Sequence, residues 1–188
     1  MEADWAVEVG SDLPSIDIPW EGFVDLRRIP SALLDIEEAV NHSALRQALI
    51  TLNSSASPVL TSKCDFWTLA SSEIDPDEFG AQAEDALTGY ASYIDMLQCD
   101  RERLSSFEFH ERWVRNLTHS LRTIALSNGR IELIIRPANI DSSTGYGVTI
   151  YATGCGADTT RSYSSWEAVL RAAVTATMKL VPLIPTGE

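Results

Sequence analysis

Positive charge is scarce in this chain and comes late. No Lys or Arg occurs before Arg27, by which point seven acids have passed between Glu2 and Asp25. Only two lysines, Lys63 and Lys179, are present in 188 residues, and neither follows a phosphate-binding loop pattern. Affinity for nucleic acid comes from clustered Lys and Arg, so nucleic-acid binding is not expected. The stripe Arg112, Arg115 and Arg122 is the exception. It reads as a solvated face, or as one paired with the acidic part of the same chain.

Metal and disulfide chemistry are poorly supplied. The three histidines, His42, His110 and His119, contain no i, i+4 pair, and no His-Glu-x-x-His motif occurs. Cys64, Cys99 and Cys155 are odd in number and share no short spacing, which excludes a disulfide framework or a zinc ribbon. A calcium loop beginning at Asp75 is a near miss. Asp75, Asp77 and Gly80 stand at positions 1, 3 and 6 of that pattern, but Phe79 and Ala86 replace two of its side-chain ligands. No metal or other cofactor is expected.

Long apolar runs are missing as well. Nothing approaches the roughly 20 residues that span a bilayer, and the first residues lack the basic and apolar regions of a secretory signal. No membrane association is expected, and the setting implied is the cytoplasm.

What is present is a core and a lopsided charge. Five Trp, five Tyr and five Phe with 45% hydrophobic residues suit one globular domain over 1–188, with an acidic, partly irregular segment over 1–30. Residues 1–100 carry 19 acids against four bases, a balance of −15, whereas residues 101–188 carry eight against ten, a balance of +2. Such a field bears on association and solubility rather than on fold.

Periodicity gives the elements. Short extended pieces are expected near Ala6–Val9 and Gly22–Leu26. A helix capped by Ser31 carries Leu33, Ile36 and Val40. The stripe slips phase at Asn41-His42-Ser43, so a second helix with Leu45, Ala48, Leu49 and Leu52 follows a tight corner. Val59 to Leu69 reads as strand, with Cys64, Phe66 and Thr68 on one face and Asp65, Trp67 and Leu69 on the other. An acidic loop covers 71–85, where Pro76 is expected to oppose helix. Leu87, Tyr90, Ala91, Ile94 and Leu97 suggest a helix. Phe107, His110, Trp113, Val114, Leu117, Leu121 and Ile124 form the clearest helical stripe, with a stop at Asn128-Gly129. His110, at the edge of that stripe, is expected to be a hydrogen-bonded core histidine. Residues 131–136 and 146–153 alternate as a hairpin near 130–153 with a loop rich in Asp, Ser and Gly. The glycines of Gly145-Tyr146-Gly147 and Gly154-Cys155-Gly156 are expected to shape that hairpin and its exit. Ser164-Ser165-Trp166-Glu167 fits a capping box, opening an amphipathic C-terminal helix with Trp166, Val169, Leu170, Ala173, Val174, Thr177 and Val181 inward. The class implied is α+β: a small, largely antiparallel sheet covered by helices.

Two functional expectations follow. The first is a non-catalytic acidic interaction module, of the inhibitor, immunity or adaptor type, docking a basic protein partner. Its surface would centre on Glu73, Asp75, Asp77, Glu78, Glu84 and Asp85, six carboxylates within 13 residues that include no base. The alternative is a small-molecule enzyme or binder with a pocket near Cys155, which lies between two glycines after a strand. The spacing does not match a nucleophile elbow, and a thiol enzyme would need His110 or His119 as base.

Overall fold

A computed structural model describes residues 1–10 and 12–180. It is α+β, with a mixed six-stranded sheet and a C-terminal helix packed on it. The strands are β1 (Glu2–Val7), β2 (Ile16–Ile18), β3 (Val59–Ala70), β4 (Thr88–Gln98), β5 (Gly129–Ile140) and β6 (Ser143–Gly156). Their order is β1-β5-β6-β4-β3, and β2 continues the β1 edge further along β5. Only β1 and β2 run parallel to their neighbour; the other pairings are antiparallel.

The helices are α1 (Glu37–Asn41), α2 (Ser43–Leu52), α3 (Pro76–Phe79), α4 (Arg101–Ser105), α5 (Phe107–Arg122) and α6 (Thr159–Leu180). The principal core forms where α2, α5 and α6 lie on one face of the sheet, with Leu49, Trp113 and Trp166 packed against Ile94, Leu133 and Ile150. Burial of this kind is worth roughly 1.5–3 kcal/mol per large side chain, before chain entropy is subtracted.

The corner between α1 and α2 falls at His42, and Leu45, Ala48, Leu49 and Leu52 are all buried, as the phase slip implies. The Ser31 cap is not made. Pro30–Asp35 is a 3-10 turn capped by no side chain, and Val40 points outward. The first strand covers Glu2–Val7 rather than Ala6–Val9, and residues 22–26 form no strand.

The expected helix over Leu87–Leu97 is strand β4. Tyr90 and Ile94 face the helices, whereas Ala91 and Leu97 face the opposite side. A strand covered on both faces shows a near-continuous apolar run, so 3–4 spacing arises in it by chance. α5 begins as its stripe requires, with the Ser106 hydroxyl accepting from the Phe109 amide at 3.1 Å. It ends at Arg122, well before Asn128-Gly129; Asn128 instead turns the chain into β5 with φ 59°.

The hairpin strands run further than alternation suggests and leave a tight turn at Asp141, whose φ is 52°. The glycines at the end of β6 act by close approach to α6, where the chain leaves the hairpin. A Cβ on Gly154 would meet the backbone nitrogen of Trp166 at 2.1 Å, so this glycine lets α6 lie directly on the strand. α6 starts at Thr159, earlier than Ser164. Asp158 accepts from the Arg161 amide at 2.8 Å, and Glu167 pairs with Arg171 instead of reaching back. Val181 lies outside the described residues. Among those residues no helix is long and apolar enough to cross a membrane.

Candidate functional site

The acidic loop forms short turns that cap the second face of the sheet. Ile74, Phe79 and Ala86 turn inward to pack with Cys155 and Leu69, which leaves the charged side chains of the same loop outward. Pro76 does not oppose helix here. It occupies the first turn of α3, where its fixed φ is already helical and its missing N–H costs nothing.

Two of the six carboxylates serve the backbone. Asp75 accepts from the Asp77 amide at 3.0 Å as the cap of α3, and Glu73 accepts from the Ala70 amide at 2.8 Å. Glu78 reaches Arg130 on β5. Among the described residues, Glu73, Asp75, Asp77, Glu84 and Asp85 lie within ion-pair distance of no base. Apart from Glu78, the loop is therefore a run of unneutralised charge on a rim anchored to the sheet by Ile74, Phe79 and Ala86.

Cys155 is fully buried inside that rim. Burial, with the nearby Asp85 charge, pushes its thiol up to about 11. The structure does not bring His110 to it. His110 packs against Tyr146, nine residues from Cys155 along β6, or about 30 Å of strand. Burial pulls His110 down to about 4, and its Nδ1 donates to the Ser106 carbonyl at 2.8 Å, so it is a neutral core histidine. His119 is exposed on the outer side of α5. Arg122 donates to the Ala3 carbonyl at 2.7 Å and lies 3.7 Å from Asp4, which ties that end of the basic stripe to the acidic half.

The sheet face opposite the three main helices was not singled out by the sequence. Its upper end is covered by the acidic loop. Its lower end is covered by α4 and β2, where Ile16, Leu97, Leu104 and Ala138 cluster. β2 also approaches the far edge of the sheet, since Ser62 donates to the Asp17 carbonyl at 3.0 Å. Between these two covers the middle of this face forms a shallow trough, where Tyr93, Glu132 and Tyr151 are only half-buried.

Strand register places one row across its floor. Asp4 pairs with Glu132, Glu132 with Tyr151, Tyr151 with Tyr93, and Tyr93 with Asp65. The tyrosine ring centroids are 5.9 Å apart, and Trp67 adds a third ring 6.4 Å from Tyr93. Burial and the Asp95 and Asp65 charges push the Tyr93 hydroxyl up to about 12, so it stays protonated.

Below the row lies a polar network. Thr149 donates to Asp95 at 2.5 Å, and Arg136 donates to Thr149 at 3.1 Å and twice to Glu8, at 2.9 and 3.1 Å. Asp95 is only 6% exposed, and burial raises its carboxyl above the usual range despite Thr149, Arg136 and Lys63. The sequence signal for this site was the alternation Tyr93-Ile94-Asp95, which reads as strand once the helical reading of 87–97 is set aside.

Other recesses are lined differently. A cleft of about 480 Å³ between α2 and α6 is mainly apolar, with Ala48, Leu170 and Val174 in its wall. A second, of about 390 Å³, lies beside β3 between Trp20, Glu38, Lys63 and Tyr93. No family model, curated protein or solved structure matches this chain.

Proposed function

We propose that this chain is a non-catalytic acidic interaction module, of the inhibitor, immunity or adaptor kind, that docks a basic protein partner in the cytoplasm. The observation that carries this reading is the state of the acidic loop. Five of its six carboxylates meet no base among the described residues, while its apolar side chains anchor it to the sheet. Carboxylates held this way repel one another, because salt screens charge only beyond about 8 Å at physiological ionic strength. A basic partner relieves the repulsion and is steered in by the field, so association is fast and salt-sensitive.

The test is the triple variant Asp75→Asn, Asp77→Asn and Glu78→Gln. Asn retains the cap at position 75, and the Glu78–Arg130 pair is exposed enough to contribute no more than about 1 kcal/mol. Folding should therefore change little, while the on-rate with a basic partner drops and its salt dependence flattens. A partner that binds the variant with unchanged rate and salt dependence would reduce the loop to solubilising surface.

A further inference from the structure

We propose that the trough on the sheet face opposite α2, α5 and α6 binds an extended basic segment of the partner, lying across the strands with cationic side chains at alternate positions. This rests on the reading of the chain as a module for a basic partner and gives that partner a recognisable chemistry.

The row Asp65, Tyr93, Tyr151, Glu132 and Asp4 supplies the geometry. Neighbouring strands are about 4.8 Å apart, so Asp65 and Glu132, separated by three strand intervals, stand about 14 Å from each other. In an extended chain, side chains i and i+4 point the same way and are about 13 Å apart. Cations at these positions reach the two carboxylates. The side chain at i+2 falls between them, beside Tyr93, where a guanidinium is attracted by the ring electrons, while the Tyr151 ring already has the Arg136 guanidinium 5.7 Å from its centre. A sequence of the form Arg-x-Arg-x-Arg therefore matches the row acid, ring, ring, acid.

Charge complementarity favours this occupant. The chain carries a net charge of −13, and the bases on this face are already engaged. Arg136 donates to Glu8, Thr149 and Tyr151, and Lys63 sits 5.1 Å from the ring centre of Trp20. The pairs that touch the row are loose: Glu132 is 3.9 Å from Arg130, and Asp4 is 3.7 Å from Arg122. Beneath the row, Asp95 adds a buried carboxylate whose Oδ2 has no protein donor among the described residues.

The probe is a capped heptapeptide, Thr-Arg-Thr-Arg-Thr-Arg-Thr, titrated by calorimetry at low ionic strength beside an isomer with its three arginines contiguous. The alternating peptide should bind the wild type more tightly than the isomer. Two double variants, Asp65→Asn with Glu132→Gln and Tyr93→Leu with Tyr151→Leu, should each weaken it at least about fivefold. The first pair changes only surface carboxylates and so tests the row even if the second unfolds.

Equal binding of the two peptides, or binding insensitive to the row variants, overturns the proposal. Loss of binding in the loop triple variant alone would overturn the trough and leave the basic-partner reading standing. No peptide binding to the wild type also removes the trough; the broader reading then depends on the loop experiment. Dimerisation abolished by the Asp65 and Glu132 changes would make the face a contact between copies and overturn the proposal as well.

Discussion

The indole Nε1 of Trp166 donates to the hydroxyl of Ser92 at 2.9 Å, which fastens the first half of α6 to strand β4. Both residues are fully buried, and the Phe66 ring meets the same indole edge-on at 4.7 Å. Replacing Trp166 by Ala removes the largest side chain between helix and sheet and orphans the Ser92 hydroxyl. The expected cost is about 3–5 kcal/mol in a urea titration. Trp166→Phe keeps most of the packing and loses the hydrogen bond, at about 1–3 kcal/mol. An unchanged midpoint for the Ala variant would take α6 out of the core.

Much of this helix layer was legible in the sequence, because each helix buries one stripe and shows the other to water. α5 is the clearest case: Trp113, Val114, Leu117 and Leu121 are all buried at helical spacing. The sheet was harder to read. β4 is covered by helices on one face and at both ends of the other, so its apolar residues carry no period of two, and Leu87 extended a false helical stripe although it is 55% exposed. β2 is three residues long and is fixed by its pairing with β5, a contact that no local pattern announces. The acidic loop could be found from composition alone. The tyrosine row could not, since its members come from five strands and meet only through register.

The three cysteines should differ in reactivity. Cys155 is fully buried, and its thiol lies near 11; Cys64 is half-buried and is pushed up to about 12 by burial and by neighbouring acids. Only thiolate reacts, and a thiol near 11 is ionised at pH 7.5 to well under a thousandth. Cys99 is exposed as a residue; burial of its sulfur raises its thiol too, but the Arg27 guanidinium 2.6 Å away opposes that shift. Alkylation of the folded protein followed by peptide mapping should therefore mark Cys99 first, with Cys64 and Cys155 labelled only as the chain opens. Rapid labelling of Cys155 in the folded state would contradict its place in the sealed cluster.

Asp95 should lower stability at neutral pH. Its folded carboxyl titrates above the usual range, chiefly because burial disfavours the charge. In the unfolded chain the same group ionises near pH 3.9. Between those two points the folded state holds a proton that the unfolded state has released. Stability from this residue therefore falls as pH rises through the folded value, and the penalty is fully present only above it. Asp95→Asn removes the charge and keeps an oxygen for the Thr149 hydroxyl. Arg136 retains its two bonds to Glu8, so the substitution leaves it paired. The variant should gain on the wild type at pH 7, and the gain should shrink as the pH is lowered toward 4. Urea titrations at the two pH values, compared within each, separate this residue from the other acids. A difference independent of pH would mean that Asp95 ionises in the folded protein as it does in the unfolded one. A gain confined to neutral pH would show that the sheet tolerates a carboxylate it would be more stable without, directly beneath the tyrosine row.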